Sequence, residues 1–225
     1  RRACLAQLAI APWLFRSDQK LCKPSSAALL PRSVAGQAAL HEHLDGKARR
    51  LLLAPEIQES DEAARLLATL IGVPQWEISA VVEQLKGPTK ESYQKFWRFL
   101  LNWSELAPDL SKAVVSKAWL RRVDNTWAAP ESGLYLPPRK GVALLEGIPV
   151  PVVDMPIRND LRFRILLEVM GVKDPNWREL ALGTLIPLLK DEKQDMATRA
   201  NALKGLIAAP TRLGLRRKGA SAQSG

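Results

Sequence analysis

Trp13-Leu-Phe-Arg-Ser-Asp-Gln-Lys-Leu-Cys-Lys-Pro-Ser-Ser-Ala-Ala-Leu-Leu-Pro31 and Trp119-Leu-Arg-Arg-Val-Asp-Asn-Thr-Trp-Ala-Ala-Pro-Glu-Ser-Gly-Leu-Tyr-Leu-Pro137 align over nineteen residues without a gap. Eight positions are identical: Trp13/Trp119, Leu14/Leu120, Arg16/Arg122, Asp18/Asp124, Pro24/Pro130, Ser26/Ser132, Leu30/Leu136 and Pro31/Pro137. Average composition gives roughly one or two such matches by chance, so the pair reads as an internal repeat. The offset is 106 residues, and farther on Leu67-Ala-Thr-Leu-Ile-Gly-Val73 pairs with Leu166-Leu-Glu-Val-Met-Gly-Val172 at an offset of 99, so the second connection is shorter. This divides the chain into a first unit over 1–110, a second over 111–210 and a disordered basic tail over 211–225.

Local chemistry sketches one unit. Trp119 to Val123 is compatible with a strand, Asp124-Asn125-Thr126 is a turn cluster, and Trp127 begins a return segment stopped by Pro130, which predicts a small hairpin. The repeated Asp shapes that turn by accepting backbone N–H groups, and the repeated Arg is expected to lie over the preceding Trp ring. Gly133–Leu136 and Ile148–Val153 are short strand candidates, confined by prolines to edges or irregular extended chain.

Helices fill most of the rest. Ser60 offers a cap, Asp61 and Glu62 early negative charge, Ala64, Leu67, Leu70 and Ile71 one apolar face, and Gly72 a left-handed end, giving a helix over 61–71. Pro74 is read as a first-turn proline of the next helix, which ends at Gly87. Thr89 caps a third, in which Tyr93, Phe96, Trp97, Leu100, Leu101 and Trp103 form a wide apolar stripe. Matching helices are predicted over 159–170, 176–190 and 195–208. The fold class is therefore α+β and mainly α-helical, two tandem units each with a small hairpin or irregular sheet followed by a helical bundle.

Composition narrows the function. The 225 residues are 47% apolar and 25% charged, with a net charge of +10, which is the balance of a folded protein. No uncharged run approaches the roughly 18 residues a bilayer requires, so no membrane segment is predicted. Two cysteines, Cys4 and Cys22, fit a reducing, cytoplasmic setting and make no zinc framework. The apolar pattern begins almost at Arg1 without a cleavable leader, which reads as a piece of a longer protein. The last fifteen residues carry Arg212, Arg216, Arg217 and Lys218 and no acid. That tail, together with the basic N-terminal region, is the candidate contact to phosphate in an alternative, nucleic-acid-binding reading.

Few residues invite chemistry. In His41-Glu42-His43-Leu44-Asp45 an extended chain places two imidazoles and a carboxylate on one side, but a helix separates His43 from the other two. With no further donor cluster the segment reads as surface. Seven tryptophans fall mostly at repeat-equivalent or helical-period positions, which favours core packing over base stacking. No nucleophile elbow, phosphate loop, dinucleotide fingerprint or zinc-protease helix occurs. No catalytic, metal or cofactor residues are assigned. The candidate partner-contact or structural set is Trp13, Arg16 and Asp18 with Trp119, Arg122 and Asp124.

A Trp-Leu start, an acidic turn, a Pro-Ser step, a Leu-Pro exit and a helix ending in Gly-Val, repeated about every hundred residues, resembles the region downstream of the ATPase domain in sacsin-like and NO VEIN-like proteins. The resemblance covers most of 5–190. It implies an ATPase domain of the heat-shock chaperone and gyrase type elsewhere in such a protein, with no nucleotide motif in this chain. The function it implies is a non-catalytic scaffold or protein-interaction segment of a larger, chaperone-like or defence-associated ATP-dependent protein. Its partners are then other domains of that protein or another protein, and no cofactor.

Overall fold

The structure, a computed structural model, describes residues 2–37, 39–137, 148, 151–157, 160–174 and 177–212. It is mainly helical, with two small antiparallel two-stranded sheets, the α+β class that the sequence pattern predicts. Two compact units form, Arg1–Ser116 with Pro156–Leu166, and Lys117–Met155 with Leu167–Gly225. The division is not linear in sequence, and its third crossing, between Leu166 and Leu167, falls within the helix Leu161–Val169.

In the first unit, β1 (Leu14–Phe15) pairs with β2 (Leu21–Cys22), Leu14 opposite Cys22 and Phe15 opposite Leu21. The two-residue period turns Leu14 and Cys22 inward, where they join Ala27, Leu29, Leu53, Leu67 and Val73 in one core cluster. Ser60 caps the helix Asp61–Leu66 by accepting the Ala63 N–H at 3.3 Å. The helix widens into a π turn over Leu67–Ile71 and stops at Gly72, whose φ of 77° is left-handed. The Val73 N–H then closes on the Leu67 carbonyl, so the helix predicted over 61–71 ends as its Gly-Val signal indicates.

The next helix does not begin at Pro74 as the sequence predicts. Leu29 donates to the Pro74 carbonyl at 2.8 Å and accepts from the Trp76 N–H at 2.8 Å, which holds 74–76 extended until Ile78–Glu83 turns helical. Thr89 caps the turn that leads into the third helix, its hydroxyl accepting the Ser92 N–H at 3.3 Å. Its N–H donates to the Ser92 hydroxyl at 2.9 Å, and Ser92 is the residue that precedes the helix Tyr93–Leu106. Tyr93, Phe96, Trp97, Leu100, Leu101 and Trp103 are all buried, as the stripe predicts, and Phe163 meets Trp97 ring to ring at 5.3 Å.

In the second unit, β3 (Leu120–Arg121) pairs with β4 (Trp127–Ala128), Leu120 opposite Ala128 and Arg121 opposite Trp127. Of the strand candidates at 133–136 and 148–153, of which 149 and 150 lie outside the described residues, the described residues make single bridges, Tyr135 meeting Val152 on one side and Lys173 on the other. Ile148, Val152, Leu180, Leu185 and Ala202 form the core of this unit. Its helices include Trp177–Leu180, a π turn over Ala181–Leu185, Ile186–Lys190 and Met196–Arg212.

The two Trp-to-Pro stretches follow matching backbone bonds as far as Ser26 and Ser132, whose N–H groups reach the Lys23 and Ala129 carbonyls, each at 3.0 Å. Beyond that point they slip by one residue. Ala28 donates to Leu51 and accepts from Leu53, whereas the same two bonds, to Pro151 and from Val153, are made by Tyr135. The extra residue is Gly133, left-handed at φ 77°. The identities Leu30/Leu136 and Pro31/Pro137 are thus one residue out of step in space, because the alignment without a gap has no place for that glycine.

Candidate functional site: two Arg–Asp hairpins

The first hairpin turns through Ser17, Asp18 and Gln19. Gln19 sits at φ 61°, its N–H returns to the Arg16 carbonyl at 2.9 Å, and Arg16 donates to the Lys20 carbonyl at 3.0 Å. This is a three-residue loop that needs one left-handed residue, a conformation that side chains other than glycine and asparagine resist. Arg16 forks onto Asp18, Nε to Oδ1 at 3.1 Å and Nη2 to Oδ2 at 2.8 Å. Partial burial works against the Asp18 carboxylate, but Arg16 and the Lys20 N–H outweigh it and hold its pKa below the ordinary value. The Ser17 hydroxyl donates to the Arg49 carbonyl at 2.5 Å and ties the loop to its own unit.

The second hairpin repeats this geometry. Asn125 sits at φ 66° and donates to the Arg122 carbonyl at 2.9 Å, while Arg122 donates to Thr126 at 2.8 Å. Arg122 lies 3.0 Å from Asp124, and Asp124 also accepts from the Thr126 N–H at 3.0 Å and the Thr126 hydroxyl at 2.6 Å. Both Asp side chains thus shape their own turns, as the turn chemistry predicts. The expected stacking of Arg on Trp is not what the first hairpin does, because the Arg16 guanidinium is forked to Asp18. The Trp13 indole instead donates to the Leu8 carbonyl at 2.6 Å, beside the end of the helix Arg2–Ile10.

The tryptophans divide. Trp97, Trp103 and Trp119 are buried, as packing residues should be, and Trp103 donates to the Ser33 hydroxyl at 3.2 Å. Trp13 and Trp127 are exposed, so of the repeat-equivalent pair Trp119 serves the core as expected and Trp13 does not. Sequence pattern cannot separate these classes, since Trp13 and Trp119 match in sequence and differ in what covers them.

The His41 to Asp45 segment is a correction of another kind. It forms the short helix Leu40–His43, and Asp45 caps the following turn by accepting the Lys47 N–H at 3.3 Å. His43 is not at the surface. It is 7% exposed, with Phe96 edge-on and Phe99 tilted, both centroids at 5.1 Å. Its Nε2 is buried without a hydrogen-bond partner among the described residues. Burial lowers the His43 pKa, with Glu42 opposing and Lys95 and Arg49 adding to the shift. His41 is lowered too, by burial and Arg49. No group of three His, Cys, Asp or Glu side chains able to hold a metal occurs among the described residues.

Two features escape sequence reading. Ala54 donates to the Phe15 carbonyl at 2.9 Å, and Asp154 donates to the Arg121 carbonyl at 2.8 Å, so these are matching positions. The first unit places Phe and Ala there, and the second a partly buried ion pair between Arg121 and Asp154. The helix Asp61–Leu66 with its π turn, and the helix Leu161–Val169, also leave apolar side chains in solvent at matching places. Leu66 and Leu70 are 43% and 56% exposed, and Ile165 and Val169, at the offset of 99, are 50% and 67% exposed. No catalytic or ligand-binding motif announces either feature.

Among the described residues no helix is long and apolar enough to cross a membrane. Arg216, Arg217 and Lys218 lie outside the described residues, and Arg212 closes the last helix. No family model, curated protein or solved structure matches this chain.

Proposed function

We propose that this chain is a non-catalytic protein-interaction scaffold, built from two copies of one packing unit, within a larger ATP-dependent protein of the sacsin-like or NO VEIN-like kind. The observation that carries the reading is the apolar pair at matching places, Leu66 with Leu70 and Ile165 with Val169, each pair four residues apart on one side of a helix. Isolated exposed leucines need no explanation, but the same two positions left apolar in both copies of the sequence repeat do. The Arg16–Asp18 and Arg122–Asp124 pairs are turn-forming parts of that unit, and the motif from Trp13 to Pro31 and from Trp119 to Pro137 supports the family setting.

The purified chain is expected to turn over neither nucleotides nor activated esters above the rate of a heat-inactivated sample. It is also expected to bind single- and double-stranded oligonucleotides only through its tail, so that Arg216→Gln, Arg217→Gln and Lys218→Gln together abolish the signal. Enzyme-like turnover refutes the scaffold reading. Salt-sensitive oligonucleotide binding that survives those substitutions favours a nucleic-acid-binding module instead.

A further inference from the structure

The outward side of the β1–β2 hairpin is apolar. The two-residue period that turns Leu14 and Cys22 inward turns Trp13, Phe15 and Leu21 outward, and Phe15 stands opposite Leu21 across the ladder. Phe15 is 53% exposed, Leu21 55% and Trp13 36%, and Ile10, which ends the preceding helix, is 69% exposed. The hairpin does not need this face to fold. At the positions of Phe15 and Ala54 the second hairpin carries Arg121 and Asp154, whose ion pair suits the same face to water.

The backbone edge is open as well. Arg16 donates to the Lys20 carbonyl, and Leu14 with Cys22 is the next bonded pair, so the Leu21 N–H and C=O point away from β1. Neither meets a backbone partner among the described residues. Cations border that edge. Lys20 and Lys23 are exposed on either side of Leu21, and the exposed Arg50 follows Arg49, whose carbonyl accepts the Ser17 hydroxyl. None of these three forms an ion pair among the described residues. Of the nearby acids, Asp18 is forked by Arg16, and Glu56 lies two residues past Ala54. Residues 10–23 and 46–56 hold six basic and two acidic side chains, and the wider stretch of 1–25 with 45–66 holds nine and six, so the surroundings are net basic at either range.

These features select one occupant. Two copies meeting at this edge would set Lys20 and Lys23 against the same lysines, which opposes self-pairing. A nucleic acid would find one freely exposed ring, because Trp13 is the less exposed and its indole is tied to the Leu8 carbonyl, while Leu21 and Ile10 offer no stacking plane. We infer that this face and the free edge of β2 dock an extended segment of another protein in which large apolar side chains are flanked by Glu or Asp. The backbone of that segment pairs with Leu21, its apolar side chains continue the row of Phe15 and Leu21, and its carboxylates meet Lys20 and Lys23 at the ends of the edge. The surface is distinct from the Leu66/Leu70 and Ile165/Val169 positions and stands without them.

The test uses the full chain and three labelled peptides followed by fluorescence anisotropy. One has a Val-Phe-Val core flanked by Glu on both sides, one has the same core flanked by Lys, and one is the Glu peptide with N-methyl groups on its core amides. The Glu peptide is expected to bind, and the Lys peptide to bind at least about tenfold more weakly, with a difference that shrinks as salt rises. The N-methylated peptide should bind at least about tenfold more weakly at any salt, because it cannot pair with the edge. Phe15→Arg with Ala54→Asp installs the ion pair of the second hairpin and should abolish binding while leaving the thermal melt in place. Leu21→Ser, at an exposed position, should weaken binding on its own. Arg216→Gln, Arg217→Gln and Lys218→Gln together should leave the preference for the Glu peptide, which separates this face from the tail. Equal binding of the Glu peptide and either of the others, no binding of the Glu peptide, or binding unaffected by the Phe15→Arg with Ala54→Asp pair or by Leu21→Ser overturns the proposal. So does a chain that dimerises through Leu21 in sedimentation, or an oligothymidine that binds the tail-substituted chain through Phe15.

Discussion

Replacing His43 with Leu should stabilise the protein, and the gain should widen as the solution is acidified. His43 lies between Phe96 and Phe99 with Nε2 buried and unpartnered among the described residues. A polar atom left in that state costs about 1–3 kcal/mol, while the ring-on-ring packing that leucine cannot reproduce is worth about 0.5–1.5 kcal/mol. A net gain of about 1 kcal/mol at neutral pH follows from that difference. The pH effect adds to it. Because burial lowers the pKa of His43 in the folded protein, the unfolded chain binds the proton first as pH falls. Stability is therefore fully present above the unfolded value and declines as pH drops toward the folded one, by at most about 1.4 kcal/mol per unit for one proton. Urea unfolding of the parent and His43→Leu from about pH 7.5 to about pH 5 measures both effects. His41, lowered by burial and Arg49, remains and keeps part of the slope, so His41→Gln with His43→Leu should flatten it further. If His43→Leu is less stable at every pH, or its slope equals the parent's, the assignment of a buried, neutral His43 is wrong.

Gln19 occupies a left-handed position at φ 61°. Gln19→Gly should therefore raise stability by about 1 kcal/mol in thermal or urea melts, and Asn125→Gly by less, since asparagine already tolerates that conformation. Asp154→Ala alone removes the carboxylate paired with the partly buried Arg121 and should cost about 1–3 kcal/mol. The double change Arg121→Phe with Asp154→Ala installs the Phe15/Ala54 pair of the first unit and should recover most of that loss, and a double-mutant cycle that adds without coupling contradicts the positional match.

What the sequence makes legible is local. The helix from Ser60 to Gly72 and the stripe from Tyr93 to Trp103 depend on periodicity and caps within about four turns, and the structure places them where those signals do. The Arg–Asp turns are legible for the same reason, since an aspartate two residues ahead of the N–H it accepts needs no tertiary information. His43 is different. Its burial depends on Phe96 and Phe99, more than fifty residues away, and no pattern around His41 to Asp45 announces them. Gly133 hides for another reason: an extra glycine between two runs of similar residues costs an alignment by identity nothing, and only the bonds of Ala28 and Tyr135 show the slip. The start of the helix at Ile78 is likewise decided at a distance, by Leu29 taking both available bonds from Pro74 and Trp76.

A scaffold function requires that the outward apolar positions of the two sequence repeats bind protein. A photoreactive phenylalanine derivative at Leu66, at Ile165 and, as a control, at the exposed Glu59 tests this in the chain as its cell makes it. The scaffold reading predicts covalent adducts from Leu66 and Ile165 with protein and none from Glu59. Silence at both apolar positions, or adducts from all three alike, contradicts it.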